Sequence, residues 1–103
     1  MALTRDFRES VQARAWGDEE FRRGLLLGAI ESLLAGDYAP GREILRDFIN
    51  ATIGFPALAA KTGIHVKTLH RMFGPKGNPT AANLFRIIAC LQEEEGLRLR
   101  VIA

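Results

Sequence analysis

A single glycine, Gly63, separates two short helical patterns in the segment LAAKTGIHVKTLHRMF, which spans residues 58–73. Glycine takes a positive φ more readily than any other residue, so a helix can end there and the chain can turn into the next helix. Ala59, four positions earlier, offers a small side chain where two steeply crossed helices nearly touch. No proline lies in the interior of either pattern. The segment therefore predicts two short helices joined by a tight turn.

The side chains around this turn divide into an inward and an outward set. Four apolar residues are spaced to face a third helix of the same unit: Leu58, Ile64, Leu69 and Met72. The outer face of the second helix and its edges carry five residues: Val66, Lys67, Thr68, His70 and Arg71. This pattern is typical of a helix-turn-helix, which places its second helix in the major groove of DNA. The alternative is an ordinary helix pair in a small bundle.

The charge distribution favours the same region. Residues 48–92 contain no Asp or Glu and five basic residues, whereas the whole chain has a net charge of only +2. Positive charge is thus concentrated in the segment that holds the turn, which suits a polyanion such as nucleic acid. Taken alone, the charge also fits chance clustering on a solvated surface.

Two helical patterns begin the chain. Thr4 predicts the N-cap of the first helix, and Asp18 predicts the start of the second, with acidic residues in the first turn where the helix dipole favours them. Gly36 predicts the end of that second helix. Gly24 and Gly28 lie within it, where they weaken the helix but predict the close approach of another one.

Proline and glycine also mark the boundaries of the remaining patterns. A third helix is predicted to begin near Pro40 and to end at Gly54, and the segment GPKGNP at 74–79 reads as a loop after the two short helices. The last helix is predicted to stop at Gly96. After it, Leu97, Leu99 and Val101 alternate with Arg98, Arg100 and Ile102. This alternation predicts a strand over residues 97–102.

These patterns predict an all-α chain of five to six helices that forms a single domain over residues 1–103. Within it we expect N-terminal helices over 1–39, a helix-turn-helix unit over 40–92 and a short C-terminal β-strand over 97–102. A lone strand in a helical chain lacks a partner for its backbone groups. The same strand of a second subunit, antiparallel across a two-fold axis, would supply one. A frayed or helical tail is the alternative.

The stretch from residue 58 onward resembles the addiction-module antidote proteins, the HigA-type antitoxins within the Cro/cI (XRE-type) helix-turn-helix group. The resemblance covers about 45 residues and rests on four motifs. These are Leu-Ala-x-x-Thr-Gly at 58–63, Leu-x-Arg at 69–71, Gly-Asn-Pro-Thr at 77–80 and Gly-Leu-x-Leu at 96–99. His65 departs from the pattern, because the group usually has Ser or Thr there as the N-cap. We therefore expect a weaker cap and a weaker main-chain phosphate contact at that position.

The resemblance implies a bundle containing a lambda-repressor-like helix-turn-helix, and a homodimer that binds palindromic operator DNA as an autorepressor. It also implies binding of a small mRNA-cleaving toxin. The start of a recognition helix points into the groove, which assigns base-edge contacts to Val66, Lys67 and Arg71. Arg71 suits bidentate pairing with guanine. Contacts to the DNA backbone are assigned to five residues: Lys61, His65, Thr68, His70 and Lys76.

Several other classes of function find no support. No pair of acids and no triad-like set indicates catalysis, so we expect no enzyme, no cofactor and no small-molecule ligand. His65 and His70 have no third ligand for a metal nearby, and Cys90 reads as a small buried hydrophobe. No apolar stretch approaches the roughly 20 residues that a membrane helix needs. Without an N-terminal signal pattern, and with one cysteine, the chain is expected in the cytoplasm.

Two functions therefore remain open from the sequence. The first is a DNA-binding transcriptional regulator that reads its operator through residues 65–71. The second is a protein-interaction module that neutralises a toxin through residues 1–50, with DNA binding secondary or lost.

Overall fold

The computed structural model describes residues 17–103, and these form five helices without a strand. The helices are α1 (Glu19–Leu34), α2 (Tyr38–Ala51), α3 (Phe55–Thr62), α4 (Val66–Met72) and α5 (Ala81–Glu95). The predicted mainly helical fold is confirmed. The helix predicted from Thr4 lies outside the described residues.

The chain divides into two compact units between Thr52 and Ile53. In the first unit α1 packs against α2, and in the second α3 contacts both α4 and α5. The predicted helix-turn-helix unit over 40–92 includes the third predicted helix, whereas the corresponding α2 belongs to the first compact unit.

α1 begins and ends where the sequence predicts. The Asp18 carboxylate caps it by accepting the Phe21 N–H at 2.9 Å, and Glu19 lies in the first turn, where a negative charge is favoured. The helix ends at Leu34, and Gly36 follows with a φ of 85°. The capping residues therefore set both ends locally.

The close approach between α1 and α2 occurs at Gly41, and among the described residues no helix approaches Gly24 or Gly28 in this way. A Cβ on Gly41 would lie 2.8 Å from Cδ2 of Leu33 and 3.2 Å from the Ala29 carbonyl oxygen. No described heavy atom lies within 4 Å of a Cβ built on Gly24 or Gly28. The small residue that lets the two helices touch is thus on α2.

The C-terminal segment runs back along α5. Gly96 ends the helix with a φ of 65°, and the Leu99 N–H then donates to Oε1 of Gln92 at 2.7 Å. Leu97 and Leu99 are half-buried while Arg98 and Arg100 are exposed, so the alternation is kept as far as Arg100, and Val101 and Ile102 are both exposed. Residues 97–103 form no strand among the described residues, and pairing with a second subunit stays a prediction.

Candidate nucleic-acid interface

The turn between α3 and α4 is built around Gly63. This glycine has a φ of 75° and a ψ of 9°, and its N–H donates to the Ala59 carbonyl at 2.9 Å. The Thr62 hydroxyl donates to the Leu58 carbonyl at 2.8 Å and accepts the Ile64 N–H at 3.3 Å. Backbone groups that the end of α3 leaves free are therefore satisfied within the turn, which fixes the direction in which α4 leaves.

The inward set holds the two helices to their unit. Leu58 and Leu69 are fully buried, and Ile64 and Met72 are nearly so. The predicted burial of all four residues is thereby confirmed. Their burial removes enough apolar surface from water to fix which side of α4 remains outside.

The outward set lies at the surface of α4. Lys67, His70 and Arg71 are exposed, and Val66 and Thr68 are half-buried at the edges. No acidic residue lies between residues 48 and 92, so no carboxylate of α3 or α4 opposes these cations. An exposed basic surface on a short helix that follows a tight turn can approach a phosphate backbone or the edges of bases.

His65 forms the N-cap of α4. Its Nδ1 accepts the Lys67 N–H at 3.1 Å, a contact that satisfies one of the free N–H groups at the helix start. The imidazole thus supplies the acceptor that Ser or Thr would otherwise offer, and the weaker cap stays a prediction.

The rings of His70 and Phe55 lie against each other across the α3–α4 junction. Their centroids are 4.7 Å apart, with an angle of 36° between the ring planes. Phe73 contacts the same phenylalanine edge-on at 5.7 Å. The imidazole of His70 on α4 therefore packs against Phe55 at the start of α3. It lies at the edge of the surface formed by Lys67 and Arg71.

Lys61 lies in a different environment from the residues of α4. Its ammonium group pairs with the Glu94 carboxylate, and this hydrogen bond and charge raise the pKa of Lys61. Both residues line a groove of about 410 Å³ between α3 and α5, together with Arg86 and Cys90. A phosphate contact at Lys61 would have to displace Glu94. The sequence missed this partner because 33 positions separate the two residues.

The loop after α4 brings Lys76 to the surface. Gly77 folds back so that its N–H donates to the Gly74 carbonyl at 2.9 Å. A Cβ on Gly77 would overlap the carbonyl of Met72 and lie 2.6 Å from that of Arg71. Only glycine fits at this position, which explains in physical terms why the loop motif carries one there.

Cys90 is half-buried beside this groove, and burial, aided by the charge of Glu94, raises the pKa of its thiol. Among residues 17–103, no group of three His, Cys, Asp or Glu side chains is arranged to hold a metal ion. None of the helices in this range is long and apolar enough to cross a membrane.

No protein-family model, curated protein or solved structure matches this chain.

Proposed function

We propose that this protein is a sequence-specific DNA-binding transcriptional regulator that inserts α4 into the major groove of a palindromic operator as a homodimer. One observation carries the proposal: the exposed, acid-free surface of α4 around Lys67 and Arg71, held in place by the Gly63 turn and a buried apolar underside. The resemblance to HigA-type antitoxins supports it and adds autorepression.

In this proposal Val66, Lys67 and Arg71 reach base edges. Arg71 offers a planar fork of donors that matches guanine O6 and N7, and Val66 offers methyl groups to a thymine methyl. Lys76 and the exposed side chain of His65 take phosphates. Lys61 has the weakest claim to a phosphate, because Glu94 already holds its ammonium group.

The test is a titration onto the DNA upstream of the protein's own gene and onto a shuffled fragment of equal length, at several salt concentrations. We expect the native fragment to bind at least about 10³-fold more tightly, with a steep salt dependence. Lys67→Ala with Arg71→Ala should abolish this preference. Lys61→Ala is the matched control, since it removes a cation of the same unit that already has a carboxylate partner. Equal, weak binding to both fragments would show that α3 and α4 are a purely structural pair.

The resemblance supports a second activity, the binding of a small mRNA-cleaving toxin. Two exposed leucines of α1, Leu27 and Leu34, lie seven residues apart and hence on one side of the helix. An apolar pair of this kind favours contact with a protein. Purified protein mixed with the product of a neighbouring gene should form a complex that Leu34→Glu weakens and Lys67→Ala does not. A complex unaffected by Leu34→Glu would remove α1 from the contact.

A further inference from the structure

The side of α5 that faces away from its buried residues carries an exposed row. Its members lie on one side of the helix: Ala82, Phe85, Arg86, Ala89 and Glu93. Phe85 is 65% exposed in the middle of this regular helical face. Removing a phenylalanine ring from water is strongly favourable, so a partner that covers this ring gains binding free energy.

We propose that this face of α5 packs antiparallel against α5 of a second copy, across a two-fold axis that passes near Ala89. The proposal rests on the proposed function, which requires a dimer, and it names the surface that forms that dimer. Ala89 has a small side chain, so two helices can approach closely at the axis.

The axis position follows from the spacing along the helix. Phe85 and Glu93 each lie four residues from Ala89, roughly 6 Å along the helix on either side. A two-fold axis at Ala89 exchanges these two positions, so the ring of Phe85 reaches the neighbourhood of Glu93 in the second copy. A groove of about 400 Å³ lies there, lined by Ala89, Gln92, Glu93, Leu97 and Arg98. The face therefore carries both an exposed ring and a groove placed to receive that ring.

Charge selects the antiparallel orientation. The last turn of α5 carries Glu93, Glu94 and Glu95 without a basic residue, at the helix end whose dipole is already negative. The only basic residue of α5 is Arg86, in its N-terminal half. An antiparallel pair brings Arg86 towards the acidic end of the second copy, whereas a parallel pair would set acids against acids. This self-complementarity makes a second copy the occupant that the face fits best.

The test measures the oligomeric state in the absence of DNA, so a failure to bind DNA does not affect it. Sedimentation equilibrium of the full chain should show a dimer at micromolar concentration. Phe85→Glu should weaken the dimer by about 30-fold or more, as expected for an aromatic residue central to an interface. Leu34→Glu is the matched control, because Leu34 is 66% exposed on α1 and should leave the dimer unchanged.

Charge at position 85 gives a sharper test of the register. If position 85 meets Glu93 of the second copy, Phe85→Lys should weaken the dimer several-fold less than Phe85→Glu. Adding Glu93→Gln to both variants should abolish most of this difference. The same difference in the presence and absence of Glu93→Gln would overturn the register.

A cross-link tests the axis without disturbing Phe85. In a Cys90→Ser background, Ala89→Cys should form a disulfide between two copies under mild oxidation, whereas Leu34→Cys should not. A wild-type protein that stays monomeric would overturn the proposal and leave this face for another occupant. Dimers that survive Phe85→Glu, or Ala89→Cys chains that do not cross-link, would also overturn it.

Discussion

At the residue scale, His65 fills a position for which the sequence pattern favours a hydroxyl side chain. Its Nδ1 accepts the Lys67 N–H at 3.1 Å, which is the contact that a capping Ser or Thr oxygen would make. The resemblance predicts a weaker cap there, because it rests on which residue type is usual at the position. The geometry instead gives the imidazole a defined structural role at the start of α4.

His65→Ala should therefore lower the free energy of unfolding by about 1 kcal/mol, since it leaves an N–H of the first turn without its partner. His65→Ser should restore most of this loss, because it returns an oxygen acceptor to the N-cap. Urea unfolding followed by circular dichroism measures both variants. Equal stability of the Ala and Ser variants would mean that the imidazole nitrogen contributes no capping energy.

At the scale of elements, the sequence predicts those features that depend on neighbouring residues alone. Asp18, Gly63 and Gly96 mark helix ends in the sequence and mark them in the structure, because capping and positive φ involve only neighbouring residues. The apolar spacing of α3 and α4 likewise predicted which side chains are buried. These signals fix the helices and the outward side of α4.

The sequence does not predict which residues of different helices contact each other. Gly41 and not Gly24 proved to be the point of close approach, since this depends on which sides of α1 and α2 meet. The pairing of Lys61 with Glu94 likewise depends on how α3 lies against α5. The alternation in residues 97–102 predicts a strand. A strand also needs a second strand to pair with, and the alternation does not specify that second strand.

Substitution of Gly77 and of Gly24 by alanine should have opposite effects on stability, because a new Cβ overlaps the backbone only at Gly77. Gly77→Ala should lower the free energy of unfolding by at least about 2 kcal/mol, because the new Cβ overlaps the Met72 backbone, which cannot move aside cheaply. Gly24→Ala should raise it by about 0.5–1 kcal/mol, because Gly24 lies inside α1 and no atom of residues 17–103 lies within 4 Å of a Cβ built on it. Thermal unfolding of both variants against wild type provides the measurement. A tolerated Gly77→Ala would contradict the loop conformation described for residues 74–80.

At the scale of the whole molecule, the charge distribution links the proposed DNA contact to the proposed dimer. The net charge of +2 is small, but the five basic residues between positions 48 and 92 lie in a single stretch without acids. A dimer presents this stretch twice and would neutralise about twice as many phosphates as one copy. The logarithm of the binding constant falls with the logarithm of salt concentration in proportion to the number of phosphates neutralised. The salt dependence of binding therefore reports how many copies engage the DNA.

This relation gives a prediction that joins the two proposals. For Phe85→Glu, the salt slope on the palindromic operator should fall to about half that of the wild type, and the variant should bind a single half-site almost as well as the full palindrome. Leu34→Glu should keep both the wild-type slope and the preference for the palindrome. Fluorescence anisotropy at four or more salt concentrations measures these values.

A Phe85→Glu variant with an unchanged slope and an intact preference for the palindrome would mean that the copies on DNA are joined by a surface other than α5. A slope near zero for the wild type would instead remove DNA as the partner of α4. The two proposals can thus fail separately, because the preference for the palindrome depends on α5 and the presence of a slope depends on the cations of the second unit.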